Sequence, residues 1–490
     1  MSDFDVVVVG SGINGTGLAR DLAGRGWRVL LAEAQDLAQH TSSSSTKLIH
    51  GGLRYLETFD FSLVRKALQE REVLLRSAPH LIQPLRFVLP HAPHLRPAWM
   101  IRAGLFLYDH LARRELLPGS QGLRLTGSVY GEPLKPEFTR GFVYSDGWVD
   151  DARLVVLNAR DAAARGAEVL TRCAVTRAER HNNAWQITLQ NGRTVRSRAL
   201  VNAAGPWAEA FLRGQGLPTR SLRLVKGSHI VVDQRFTHDH AYIFQNADGR
   251  IIFAIPYEGR FTLIGTTDVE LPEHEAPPAQ AQIEAAEIDY LCEQASRYLA
   301  RPVTPADVRW TYAGVRPLLD EGGSASRVTR DYLLEAEGGT GDGGAPLLNV
   351  WGGKLTTYRK LAEDGASLLG SLLGDAGKPW TAGTHLPGGD LGRHGVDIAA
   401  FTAELQARHA GHSPAAMTRI SRMARAYGSN ADALLASPGP EVAPGLFEAE
   451  LRHLVDKEWA RSAEDVLWRR SKLGLHYTQA QRAAVAAWFG

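Results

Sequence analysis

Cysteine is scarce in this chain. Its 490 residues hold two, Cys173 and Cys292, far apart in sequence. Neither a disulfide framework nor a CxxC or zinc-ligand spacing is available, so no metal is expected and a reducing compartment fits. Net charge is nearly absent too, with 55 basic residues against 53 acidic ones. That balance excludes the basic footprint of a nucleic-acid binder. No uninterrupted apolar run reaches the length of a transmembrane helix. The chain enters an apolar strand almost at once, and no signal peptide is expected ahead of it. What is present is an ordinary globular composition, 44% hydrophobic, in a chain too long for one core. About two or three domains are expected.

The most informative stretch comes first. Val6 to Val9 form a short, β-branched, apolar run that suits a strand buried on both faces. Gly10, Gly12 and Gly15 follow at the G-x-G-x-x-G spacing. Gly10 permits a tight turn, Gly12 lets a pyrophosphate approach the backbone, and Gly15 lets the next helix pack on the strand. A helix over Thr16 to Gly24 then points its N-terminus at the phosphates. Val29 to Ala32 read as a second strand with Glu33 at its end, placed to accept from the ribose hydroxyls of an adenosine. Strand, helix, second strand and acid are all in register, which predicts dinucleotide binding.

Thr41 to Leu56 carry a run of small hydroxyls, then Lys47, His50, Gly51, Gly52, Arg54 and Tyr55. Small hydroxyls and glycines allow backbone to approach a phosphate or a flat ring closely. Residues 60–77 read as an amphipathic helix. Residues 98–117 are a helix candidate with Trp99, Met100, Ile101, Leu105, Phe106, Leu107 and Leu111, accompanied by Arg96, Arg102, Arg113 and Arg114. Two readings stand: a core helix, or an interfacial helix lying in anionic lipid headgroups. Asp146 to Arg153 precede an amphipathic helix ending near Arg165. Asn191-Gly192 predicts a type I′ hairpin turn. A buried strand, Leu200 to Asn202, ends in Ala203, Ala204 and Gly205, where it can pass beneath a dinucleotide.

From Lys226 to Asp268 several short strands follow one another, as in a largely antiparallel sheet. Residues 272–278 read as a loop and 280–299 as a helix. Arg316 and Arg330 stand near presumed strand ends. Residues 338–346 read as a hairpin tip. Leu348 to Arg359 again read strand, glycine turn, helix, with the helix opening at Thr356. Residues 395–490 are helical, their charges reading as solvated faces and Trp459, Trp468 and Trp488 as packing residues.

The Lys47-to-Tyr55 and Gly352-to-Lys360 stretches resemble those of the aerobic, FAD-dependent glycerol-3-phosphate dehydrogenases of bacteria, and similar stretches run almost end to end. The resemblance implies an α/β fold of the D-amino-acid-oxidase type. It has a Rossmann-like FAD domain (1–80, 145–225 and 306–385), an inserted antiparallel substrate domain (81–144 and 226–305) and an all-helical C-terminal domain (386–490). It implies oxidation of sn-glycerol 3-phosphate to dihydroxyacetone phosphate, with a hydride passing from C2 to FAD N5 and electrons passing to ubiquinone. It also implies a homodimer on the inner face of the cytoplasmic membrane.

On this reading FAD lies against Gly10, Gly12, Ile13, Asn14, Gly15 and Glu33, then Thr41, Ser42, Ser43, Lys47, Leu48, His50, Gly51 and Gly52. Val175, Ala204, Gly205, Gly314, Gly353, Lys354, Leu355 and Thr356 complete that set. No residue forms an evident covalent link, so the cofactor is expected to be noncovalent. A small dianion needs several fixed cations. Arg54, Arg316 and Arg330, with Tyr55 and Lys354, are the candidates for the substrate phosphate. His50 and His229 are the candidate bases by residue type. Arg316 and Lys354 are alternatives that would stabilise an alkoxide instead. The competing readings are an oxygen-using oxidase of the same fold, acting on glycerol 3-phosphate or an amino acid, and a flavin-binding scaffold without turnover.

Overall fold

The computed structural model describes residues 2–490 except 58, 93–95, 182, 247, 273–279, 321–330, 340–343, 375–376 and 412. Two sheets carry the first three-quarters of the chain. The smaller is built on the first strand, Phe4–Val9, which lies between Thr194–Asn202 and Val29–Ala32, parallel to both. Leu347–Trp351 and Glu168–Leu170 extend the parallel order on either side. The pleat decides the layers. Val6 and Val8 face one way, onto Leu18, Leu22, Val156, Leu361 and Leu369. These come from the helices Ile13–Gly24, Asp151–Ala164 and Tyr358–Leu373. Val7 and Val9 face the other way, onto a cluster containing Trp185 and Ile187 of the antiparallel strands Val175–His181 and Ala184–Leu189. The hairpin turn differs from expectation. Gly192 has a positive φ, +85°, and its N–H donates to the Leu189 carbonyl, whereas Asn191 lacks the positive φ that a type I′ turn needs.

The larger sheet is mostly antiparallel, with ten strands among the described residues. Leu222–Asp233 is its longest pairing edge: it binds Phe261–Gly265 on one side and Val308–Leu319 on the other. Ile82–His91 pairs with Arg140–Val149, and Leu48–Ile49 follows at the sheet's end. Domain limits at 145 and 306 therefore cut across this sheet. The strand Val308–Leu319, expected in the nucleotide domain, pairs with Leu222–Asp233 along nearly its whole length. Its apolar pattern announced a strand but not which sheet would take it.

Several helices differ in extent from the sequence reading: the one expected from Thr16 begins at Ile13. The candidate over 98–117 is Ala98–His110, the one over 280–299 is Ala285–Ser296, and the one expected to open at Thr356 begins at Tyr358. The loop expected over 272–278 lies, apart from Pro272, outside the described residues. The strands flanking 338–346, Leu333–Glu337 and Leu347–Trp351, pair antiparallel. No described helix is long and apolar enough to cross a membrane.

The C-terminal helices Ile398–His409, Pro414–Tyr427, Glu448–Glu458 and Gln479–Phe489 enclose their own core around Leu405, Ile420, Leu451 and Leu454. Their charges are not all solvated faces. Glu458, Asp465, Arg469 and Arg470 are buried. Arg470 and Arg469 reach Asp36 of the nucleotide-binding unit at 2.6 and 2.7 Å, and Arg153 holds Glu458. A charge pattern on a helix does not reveal that a second domain will cover it.

Candidate active site

The first glycine turn is as tight as its spacing predicts. Gly10 has φ +94°, and a Cβ there would stand 2.7 Å from the Ala203 carbonyl oxygen. A Cβ on Gly15 would fall 1.9 Å from the Gly10 carbonyl oxygen. Ser42 Oγ accepts from the Ile13 N–H at 3.0 Å, so the hydroxyl run closes over the opening of the first helix. Glu33, half-buried at its strand end, accepts from the Ser11 N–H at 2.7 Å and the Ser11 hydroxyl at 2.8 Å. Asn14 donates to the Gly352 carbonyl, and its own Oδ1 is buried without a partner among the described residues. The Gly352-Gly353 turn, with φ +67° and +94°, thus lies directly on the first one.

Beside the turns is a cavity of about 320 Å³. Its lining includes Thr41, Leu48, His50, Gly52, Arg54, Tyr55, His229, Gly314, Arg316, Gly353, Lys354, Leu355 and Thr356, all named from the sequence. Ser44, Ser45 and Thr46 line it too, and were missed although they belong to the same hydroxyl run. Asp268 was also missed as a site residue. It forms an ion pair with Arg316, whose other guanidinium nitrogen donates to Thr266 Oγ1 at 3.1 Å. The lining also has an apolar part, with Phe87, Tyr144, Ile243 and Phe253.

The cations differ in their company. Arg54 has no side-chain hydrogen bond or ion pair among the described residues. The Lys354 ammonium lies 3.8 Å from the centre of the Tyr55 ring, a close cation–π contact. Arg330 lies outside the described residues. His50 is held at its backbone by Thr356 Oγ1, which accepts from the His50 N–H at 3.1 Å. His229 is buried between its strand neighbours Gly265 and Tyr312. Its Nε2 is 2.9 Å from Thr46 Oγ1. Burial and the nearby Arg316 and Lys47 cations hold its imidazole well below the usual histidine range, so it is neutral at pH 7.

Several residues assigned to the cofactor do not line this cavity. Gly10, Gly12, Ile13, Asn14, Gly15, Glu33, Ser42 and Ser43 form or adjoin the first turn. Ala204 and Gly205 follow the strand Thr194–Asn202 beneath it, and Val175 begins the antiparallel strands. The Gly51 N–H is turned to Tyr108 Oη at 2.8 Å. The Lys47 ammonium is buried on Asp151, away from the cavity.

Two glycine turns that added side chains would fill, a carboxylate at the second strand's end and an unpartnered amide oxygen suit an extended dinucleotide. Residues 5–359 match the family of FAD-dependent oxidoreductases. The chain belongs to that family. The residues that fit the ADP half of FAD are Gly10 to Gly15 and Glu33, and those that fit its ring end line the cavity. Residues 380–489 match the C-terminal domain of alpha-glycerophosphate oxidase.

The chain is 51% identical to a glycerol-3-phosphate dehydrogenase of Pseudomonas aeruginosa, over 98% of this chain and 93% of that one. It is 47% identical to a D-erythritol 1-phosphate dehydrogenase of Brucella abortus, over 99% and 97%. Its fold is similar to the crystal structure of the Bacillus halodurans glycerol-3-phosphate dehydrogenase complexed with FAD, with TM-score 0.74, 28% identity and coverage of 99% and 94%.

Proposed function

We propose that this protein oxidises sn-glycerol 3-phosphate to dihydroxyacetone phosphate and delivers the electrons to ubiquinone. One observation carries the reading: Arg54, Arg316 and Lys354 line the same cavity as His50 and His229, beside the dinucleotide turns. A cluster of fixed cations suits a phosphate dianion, whereas an amino-acid carboxylate needs a single arginine. Noncovalent FAD, when bound, supplies the acceptor for the C2 hydride. Arg54 and Arg316, assisted by Tyr55, hold the phosphate. Arg330 joins them on sequence grounds alone. Asp268 keeps the Arg316 fork oriented. His229, kept neutral, takes the hydroxyl proton, and His50 in the same cavity is the second candidate. Lys354 offers charge to a developing alkoxide.

The route to quinone adds a membrane surface. Trp99, Met100, Phe106 and Leu107 of Ala98–His110 are exposed, while Ile101, Leu105 and Tyr108 on the other face are buried. Such a helix, anchored on one side and apolar on the other, suits the headgroup region on the inner face of the cytoplasmic membrane. A homodimer completes the proposal.

The deciding measurement is anaerobic flavin absorbance. Bleaching by sn-glycerol 3-phosphate, and not by glycerol or amino acids, is expected. Bleaching by D-erythritol 1-phosphate alone would move the substrate to the longer polyol phosphate, a reading that the similarity to the Brucella abortus enzyme favours. Peroxide formed in air at the rate of turnover would replace quinone by oxygen. FAD left with the protein after acid precipitation would overturn noncovalent binding.

A further inference from the structure

The Lys47 ammonium, which the sequence placed at the cofactor, is fully buried on Asp151 Oδ1 at 2.7 Å and on the Ser43 carbonyl at 3.1 Å. Asp151 opens the helix Asp151–Ala164, where the helix dipole favours a carboxylate. Its second oxygen accepts from the Ser45 N–H at 3.1 Å and the Ser45 hydroxyl at 2.7 Å. Ser45 Oγ in turn accepts from the Lys47 N–H at 2.9 Å. One carboxylate therefore fixes the backbone from Ser43 to Lys47. A buried ion pair adds little net stability, because the cost of desolvation offsets the attraction. What this pair fixes is more telling.

The next residue inside that clamp is Thr46, whose hydroxyl lies 2.9 Å from His229 Nε2. The ring of His229 also stacks on Tyr312, with centroids 4.7 Å apart and planes 15° apart. Tyr312 itself donates its hydroxyl to the Ser45 carbonyl at 2.8 Å. The polar partner and the stacking partner of His229 thus both depend on Ser45, and Ser45 depends on Asp151. Gly265, across the sheet, leaves the ring its room: a Cβ there would fall 2.1 Å from His229 Cδ2.

We propose that Asp151 is a positioning residue for the reaction, setting through Ser45 the Thr46 hydroxyl and the Tyr312 ring that hold His229 at the cavity wall. The inference rests on the functional reading above. It concerns this chain's own residues and leaves phosphate binding to the arginines.

The test compares Asp151→Asn, Thr46→Val and Tyr312→Phe with the unaltered holoenzyme. The rate of anaerobic bleaching at saturating sn-glycerol 3-phosphate is expected to fall about 10- to 100-fold, as for a misplaced reacting group. The half-saturating concentration, the affinity for propyl phosphate (which has no C2 hydroxyl) and the FAD content are expected to stay within about twofold. Should Asp151→Asn fail to fold, the other two variants carry the test, since they leave the buried ion pair intact. Wild-type bleaching rates in the variants would overturn the proposal. So would a rate loss matched by equal losses of propyl phosphate affinity and FAD, the mark of a merely structural role. If the unaltered protein does not bleach with sn-glycerol 3-phosphate, the functional reading fails and the inference falls with it.

Discussion

The Asn14 side-chain amide donates to the Gly352 carbonyl at 3.0 Å across 338 residues of sequence. It joins the two glycine turns on which an extended cofactor rests. Asn14→Ala removes that bond and leaves the carbonyl unpaired. A loss of about 1 kcal/mol is expected, equal to about a fivefold rise in the FAD dissociation constant. Flavin fluorescence on dilution measures it.

Arg54 is the wall cation without an ion-pair partner among the described residues, and its charge is available to a ligand. Arg54→Ala is expected to raise the half-saturating substrate concentration about 10- to 100-fold, the range of a charged hydrogen bond. FAD content stays unchanged. Arg54→Lys restores charge but not the two-pronged grip, and recovers part of the loss. Initial rates against substrate concentration report both.

His80 is buried, and both ring nitrogens lack a hydrogen-bond partner among the described residues. Burial, helped by the Arg153 cation, pushes its pKa down to about 3. The unfolded chain therefore binds this proton at higher pH than the folded one. The contribution to stability is complete above about pH 6.5 and is lost as pH falls towards 3. Between pH 6.5 and pH 5 the loss is about 2 kcal/mol. Urea unfolding at the two values measures it, and His80→Leu is expected to flatten the slope.

Trp99 is 71% exposed and Phe106 58% exposed on the helix proposed to meet lipid. Trp99→Ser with Phe106→Ser is expected to release the protein from anionic vesicles in a sedimentation assay, with melting temperature unchanged. Arg113 is 87% exposed, and Arg113→Glu weakens the same binding. Arg114 is a poorer probe because it is held by Asp109. Unchanged sedimentation of the double variant would remove this helix from the membrane proposal.

Much of the site was legible because its chemistry is local. The Gly10-to-Gly15 turn, Glu33 and the Lys47-to-Tyr55 stretch announce themselves within a few residues, since one turn and one strand end decide their positions. The Arg316–Asp268 ion pair was not legible: it spans 48 residues of sequence and joins the strand Val308–Leu319 to the segment after Phe261–Gly265, on the other side of Leu222–Asp233. Lys47 misled for a related reason. Its place in a motif was plain, but its partner Asp151 sits 104 residues away on a helix, and that partner draws the ammonium into the interior. The membership of Val308–Leu319 in the larger sheet likewise depends on a neighbour, not on the strand's own pattern.

Asp36 lies between Arg469 and Arg470 with no exposure of its carboxylate. Replacing Asp36 would leave two buried guanidinium groups short of their partner across the domain contact, a loss of about 3–5 kcal/mol. Trp468 of the C-terminal domain also stacks on Trp310, 4.8 Å away, in the strand that carries Arg316 to the cavity. The helical domain is therefore not an appendage that can loosen while the oxidoreductase part stays intact. The active-site strand and the C-terminal helices are expected to share a single melting transition in calorimetry, and two resolved transitions would show the domains uncoupled.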